Sequence, residues 1–157
     1  MKIKGLFTDP ISHMPIVLLE DEAGTRVLPI WIGAFEANAI ALTMENVPTP
    51  RPMTHDLLKA FLIRLQIEVD RVVVTDVRNN TFFATIHCRS GERLLAFDAR
   101  PSDAIALALR TASPIFVEHE VVEKSQAERR AESNEGTDAL LRWMEKLGTE
   151  LLGKYKM

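Results

Sequence analysis

The chain holds a single cysteine, Cys88, so it can form no internal disulfide and no cysteine-rich zinc site. Aromatic residues are scarce at 6%, and they do not interleave with basic ones, so no platform for single-stranded nucleic acid is evident. No long apolar run follows Met1-Lys2-Ile3-Lys4-Gly5, which argues against a signal peptide. No stretch approaches the roughly 18 apolar residues that would span a bilayer. No membrane contact is expected, and the cytoplasm is the expected compartment. Strong charge of one sign is also missing. The formal net charge of −3 lies within residues 1–124, and the remainder is neutral. A basic arm coating nucleic acid is therefore excluded, and any such contact must be local. HExxH, GxSxG, Walker and GxGxxG patterns are absent, which removes support for zincin, α/β-hydrolase, P-loop and dinucleotide-binding readings.

What is present is the balance of a globular protein: 46% hydrophobic and 26% charged residues over 157 positions, enough for one domain with a real core. Residues 2–8, 14–20 and 26–32 are short β-type runs separated by turn compositions, and an antiparallel meander is the simplest connection. After Gly33 the pattern becomes helical through Asn46, with alanine at 34, 37, 39 and 41. Three prolines between Val47 and Pro52 hold the next segment extended. Thr54 then suits the N-cap of a helix to about Gln66, whose Leu57, Leu58, Phe61, Leu62 and Leu65 form one apolar stripe.

A second β block follows, with Arg78-Asn79-Asn80 as a hairpin signal and Cys88 alternating into the core with Ala84 and Ile86. Pro101–Ala112 is helical and apolar on nearly every face, which requires burial. Pro114 ends it, and Ile115–Glu118 is a last short strand. The whole predicts an α+β fold: a mixed, largely antiparallel β-sheet core with three packed helices plus a C-terminal helix. One domain covers residues 1–124. A polar stretch over 125–136 reads as linker or frayed helix, and a helix over 137–157 carries a seam of Leu140, Met144, Leu147 and Leu151. That seam needs a partner surface, so a homodimer or higher homo-oligomer is expected.

Each internal helix opens after a Gly or Pro and carries a carboxylate in its first turn: Glu36, Asp56 and Asp103. An acid there is favourable by about 0.3–1 kcal/mol through the helix dipole and needs no function. Asp98-Ala-Arg100-Pro-Ser-Asp103 adds a second acid, an arginine and a serine beside a helix that must be buried. Buried charges must be paired. A network through Arg100 would meet that need structurally, and the same corner could place two carboxylates near a hard divalent cation. Arg51-Pro-Met-Thr-His-Asp56 is the second polar concentration, where His55 is a candidate general base or an ordinary surface histidine.

Leu28-Pro-Ile-Trp-Ile-Gly-Ala-Phe-Glu-Ala37, Arg51-Pro-Met-Thr-His-Asp-Leu-Leu58 and Asp98-Ala-Arg-Pro-Ser-Asp-Ala-Ile-Ala-Leu-Ala108, taken in order, resemble the bifunctional nuclease family over roughly residues 1–122. The resemblance implies a mixed α+β fold, self-association and activity on DNA and RNA; it brings no established catalytic residue. Some members carry a C-terminal helical hairpin known from excision-repair proteins, whereas residues 137–157 offer one helix only.

The first functional expectation is a metal-assisted nuclease. Asp98 and Asp103, with Glu36 or Asp56, would hold Mg²⁺ or Mn²⁺; Arg51 or Arg100 would contact phosphate; and His55 would act as base, giving Asp98, Asp103 and His55 the catalytic roles. The alternative is a non-catalytic oligomeric module that binds a ligand or regulates a partner.

Overall fold

The computed structural model describes residues 1–131, together with Arg142 and Lys146. Strands β1 (Lys2–Thr8), β2 (Pro15–Glu20) and β3 (Val27–Trp31) form the antiparallel meander in that order. The first turn is pinned by Asp9, which is buried. Its carboxylate accepts from Ile11 N–H at 2.9 Å, Ser12 Oγ at 2.7 Å and Trp31 Nε1 at 2.8 Å. Burial pushes that carboxyl up, but these bonds outweigh it and hold it below its ordinary range. As the central strand, β2 is buried on both faces, so Ile16–Leu19 read as an unbroken apolar run. Pro29, which cannot donate to a ladder, lies on the edge strand β3.

The second sheet has the order β6-β5-β4-β7, from β4 (Glu68–Arg78), β5 (Thr81–Ser90), β6 (Arg93–Ala99) and β7 (Ile115–Val117). Only the β4–β7 pairing is parallel. Asn79 and Asn80 turn the β4–β5 hairpin at φ 49° and 59°, the left-handed conformation that a two-residue primed turn requires. Cys88 is buried, and burial together with Asp70 pushes its thiol up, as suits a core residue.

Four helices complete the described fold: α1 (Ala34–Met44), α2 (Thr54–Arg64), α3 (Pro101–Thr111) and α4 (His119–Ala131). Helix α3 is the centrepiece. It lies against β4 and β5 and receives α1 and α2, so Ala104 through Ala108 are all buried. Alanines at 104, 106 and 108 let neighbouring backbones approach closely. Left-handed Ala112 caps it at φ 54°.

Three expectations need correction. Thr54 is the first helical residue of α2 rather than its cap; Met53 holds that position, and the Asp56 carboxylate accepts the Met53 N–H at 2.9 Å. The apolar stripe of α2 is mostly not core. Leu57, Leu58, Phe61 and Leu65 are exposed, and only Leu62 of the stripe packs against the core cluster. At its N-terminal end α2 is tied to α3 by polar groups, His55 to Asp103 and Asp56 to Arg110. Finally, α4 is a packed helix that carries through Ser125 to Ala131, the first part of the stretch read as linker or frayed helix. Its Val121, Val122 and Ser125 are buried. The expected helix over 137–157 lies outside the described residues except for Arg142 and Lys146, which are helical and exposed.

Candidate functional site

Where α1, α2 and α3 converge, four side chains form one connected cluster. His55 Nε2 lies 2.9 Å from Asp103 Oδ1. Arg100 Nε donates to Asp103 Oδ2 at 2.7 Å, and its NH2 donates to Oδ1 at 3.1 Å, the two-pronged geometry that a guanidinium favours. The third Arg100 nitrogen, NH1, donates to Glu36 Oε1 at 2.9 Å. These residues face a cavity of about 360 Å³ that Phe35 and Met53 also line.

Local sequence explains the placement. Pro101 fixes the first turn of α3, so Arg100 stays extended at the N-cap while Asp103 folds back beneath it. Gly33 does the same service for α1. A Cβ there would collide with the Glu36 carboxylate, so glycine leaves the space in which that carboxylate reaches Arg100.

The electrostatics are settled by Asp103. Burial pushes its carboxyl up, but the hydrogen bonds and charges of Arg100 and His55 outweigh this and hold it below its ordinary 3.8. It is therefore ionised near neutrality and can only accept. Nε2 of His55 must then carry the proton, which leaves Nδ1 with a free lone pair in the neutral ring. Asp103 first and then Glu36 push the Arg100 guanidinium up. The His55 side chain is 11% exposed, that of Asp103 31% and that of Arg100 64%. The base candidate is thus largely enclosed, while the arginine lies open to solvent.

A second pair braces the site. Arg110, whose side chain is 5% exposed, donates from Nε to Asp56 Oδ1 at 2.6 Å and also to the carbonyls of Ala106 and Ala39. The Met53 N–H first, then Arg110 against the effect of burial, hold the Asp56 carboxyl below its ordinary range. Arg110 was not singled out from sequence. The available signal was a guanidinium directly after the apolar run Ala104–Leu109, which must find a partner.

The expected site residues therefore divide. Glu36, His55, Arg100 and Asp103 come together. Asp56 is one helix residue beyond His55 but is committed to Arg110. Arg51 is exposed in the proline-rich connector and is not among the residues lining the cavity. Asp98 is exposed and lies on the other face of the sheet. Its neighbours Phe97 and Ala99 pair with core residues Ile86 and Ala84, so strand alternation turns Asp98 away from α3.

Asp98 and Asp103 do not come together with Glu36 or Asp56: among the described residues no group of three or more His, Cys, Asp or Glu is arranged to hold an ion. Two hard donors, Glu36 and Asp103, do face one cavity. That pair fits the sparse manner in which Mg²⁺ is commonly held, by one or two carboxylates with water and phosphate oxygens supplying the rest.

The fold and cluster define a class first: an α+β domain whose three internal helices gather an oriented histidine, an arginine and two carboxylates at a solvent-facing cavity. Residues 17–130 match the bifunctional nuclease domain, and the chain belongs to that family. A protein of Mycobacterium tuberculosis, itself described as uncharacterized, is 38% identical over 122 residues, 78% of this chain and 73% of that one. Bifunctional nuclease 1 of Arabidopsis thaliana is 30% identical over 116 residues, 72% of this chain but 36% of the plant protein. Bifunctional nuclease 2 of the same plant is 32% identical over 108 residues, 67% of this chain and 33% of its own length.

Proposed function

We propose that the chain is a nuclease that hydrolyses phosphodiester bonds of DNA and RNA, and that His55, Asp103, Arg100 and Glu36 carry the reaction. The observation that supports this most is the convergence of these four residues on one cavity in a member of the bifunctional nuclease family. In this reading the Nδ1 lone pair of His55 takes a proton from the attacking water, while Asp103 fixes the ring and stabilises its charged form. Arg100 is the exposed member of the cluster, and its single-pronged ion pair with Glu36 is of the solvent-screened kind worth about 0–1 kcal/mol. Exchanging a carboxylate for a phosphate oxygen of the substrate is therefore cheap, and the planar fork suits it. The water oxygen bonds to phosphorus, the P–O bond to the departing strand breaks, and the departing oxygen takes a proton from solvent.

Mg²⁺ or Mn²⁺ belongs to the same proposal. Glu36 and Asp103 would hold it, and it would supply charge to the phosphate and acidify bound water. The exposed apolar face of α2 supports a further part of the reading, that the chain works as a homodimer or higher homo-oligomer.

The test is cleavage of labelled single-stranded DNA, duplex DNA and RNA by the wild type and by His55→Gln, each with Mg²⁺, Mn²⁺ or chelator. Metal-dependent cleavage by the wild type that falls in a folded His55→Gln protein supports the reading. No cleavage on any substrate would instead favour a non-catalytic module that binds a ligand. One observation already leans that way: Arg100 satisfies both carboxylates within the chain, as a purely structural network would.

A further inference from the structure

Phe35 is 90% exposed, although it sits in the first turn of a packed helix and immediately precedes Glu36. Its ring serves no core cluster. It stands instead at the cavity shared by Arg100, His55 and Asp103. Aromatic residues are scarce in this chain, and the sequence showed no run of them beside basic residues. The fold nevertheless places one open aromatic face at the same cavity as one exposed guanidinium.

We infer that Phe35 is a stacking platform for a nucleobase, and that the substrate is single-stranded nucleic acid whose backbone passes Arg100 while an adjacent base lies on Phe35. This deepens the nuclease reading and rests on it. Three considerations support it. A base inside a duplex is already stacked on its neighbours and presents no face to a protruding ring, whereas an unpaired base does. A chain of net charge −3 cannot rely on its overall field to gather phosphates, so a non-ionic contact is needed. Phenylalanine also has no hydrogen-bonding group and stacks on any base, which suits a site that treats DNA and RNA alike.

The experiment compares wild type, Phe35→Ala and Phe35→Trp in binding three fluorescent probes by anisotropy: a mixed-sequence single strand, an abasic strand of equal length, and the corresponding duplex. Folding is checked by circular dichroism and assembly by light scattering. The wild type is expected to prefer the single strand over both other probes. Phe35→Ala is expected to bind the single strand at least about fivefold more weakly and the abasic strand unchanged. Phe35→Trp is expected to restore binding, with indole fluorescence quenched by the single strand and not by the abasic one.

The inference is overturned if Phe35→Ala binds the single strand as the wild type does. It is overturned equally if the loss extends to the abasic strand, or if the variant changes only its mass, which would make Phe35 a subunit contact. The nuclease reading fails separately. A wild type that shows the base-dependent binding but cuts nothing would keep the platform and remove the hydrolysis.

Discussion

His55 and Asp103, 48 positions apart, meet at 2.9 Å and join the first turn of α2 to the first turn of α3. Because Asp103 also receives two nitrogens of Arg100, it is ionised and fixes the proton of His55 on Nε2. In His55→Gln the amide can still donate to Asp103, but the ring lone pair is gone. Catalytic rate is expected to drop about 10²–10⁴-fold, the usual contribution of a positioned general base, with little change in the circular dichroism spectrum. Steady-state kinetics on a single-stranded oligonucleotide measure it, and an undiminished rate would remove His55 from the chemistry.

The brace behind the site is expected to matter for stability rather than for rate. Asp56→Ala leaves the buried Arg110 guanidinium without its carboxylate, a change that typically costs 3–5 kcal/mol in a fully buried pair. Asp56 is partly exposed, so a loss of about 2–3 kcal/mol is expected from urea unfolding midpoints. A loss below about 0.5 kcal/mol would mean that the two backbone carbonyls alone suffice for Arg110.

Much of this was legible in the sequence, and the failures share a physical cause. Helix α3 was readable because an all-round apolar helix has only one possible environment, and the Asn79-Asn80 turn because few residues tolerate its backbone. The apolar stripe of α2 was equally clear as a pattern, but a pattern does not say which surface covers it. Asp98 was assigned to the site on nearness in sequence to Asp103. The strand's period of two, with Leu95 and Ala99 packed against the core, already placed it on the other face. Helix α4 was legible only as a linker or frayed helix from Ser125 on, because among its described side chains Val121 and Val122 are the only large buried ones, too few to raise a periodic signal.

Acid should weaken the fold in a defined window. Asp56 and Asp103 both titrate below their ordinary 3.8 in the folded chain. A group depressed on folding stabilises fully above its unfolded value, and that stabilisation is lost as pH falls through the folded value. Stability by urea titration is therefore expected to be flat in these two groups above about pH 5 and to decline below about pH 4. Asp103→Asn should shallow the decline. A wild type whose stability rises on acidification through this window would contradict the assignment.

The exposed face of α2 yields a prediction about assembly. Phe61→Lys removes apolar surface that touches solvent in the isolated chain, so monomer stability should change by no more than about 0.5 kcal/mol. Mass by light scattering should nevertheless fall if this face joins copies of the chain. An unchanged oligomer would move the interface elsewhere, and a monomeric wild type would remove it.

The most direct test of the account separates the two aspartates that sequence reasoning placed together. Asp98→Asn and Asp103→Asn are prepared alongside wild type and assayed on labelled single-stranded DNA and RNA with Mg²⁺, Mn²⁺ and chelator. The geometry predicts that Asp103→Asn abolishes cleavage while Asp98→Asn, on the opposite face of the sheet, cuts as the wild type does. Loss of cleavage in Asp98→Asn, with Asp103→Asn active, would contradict it.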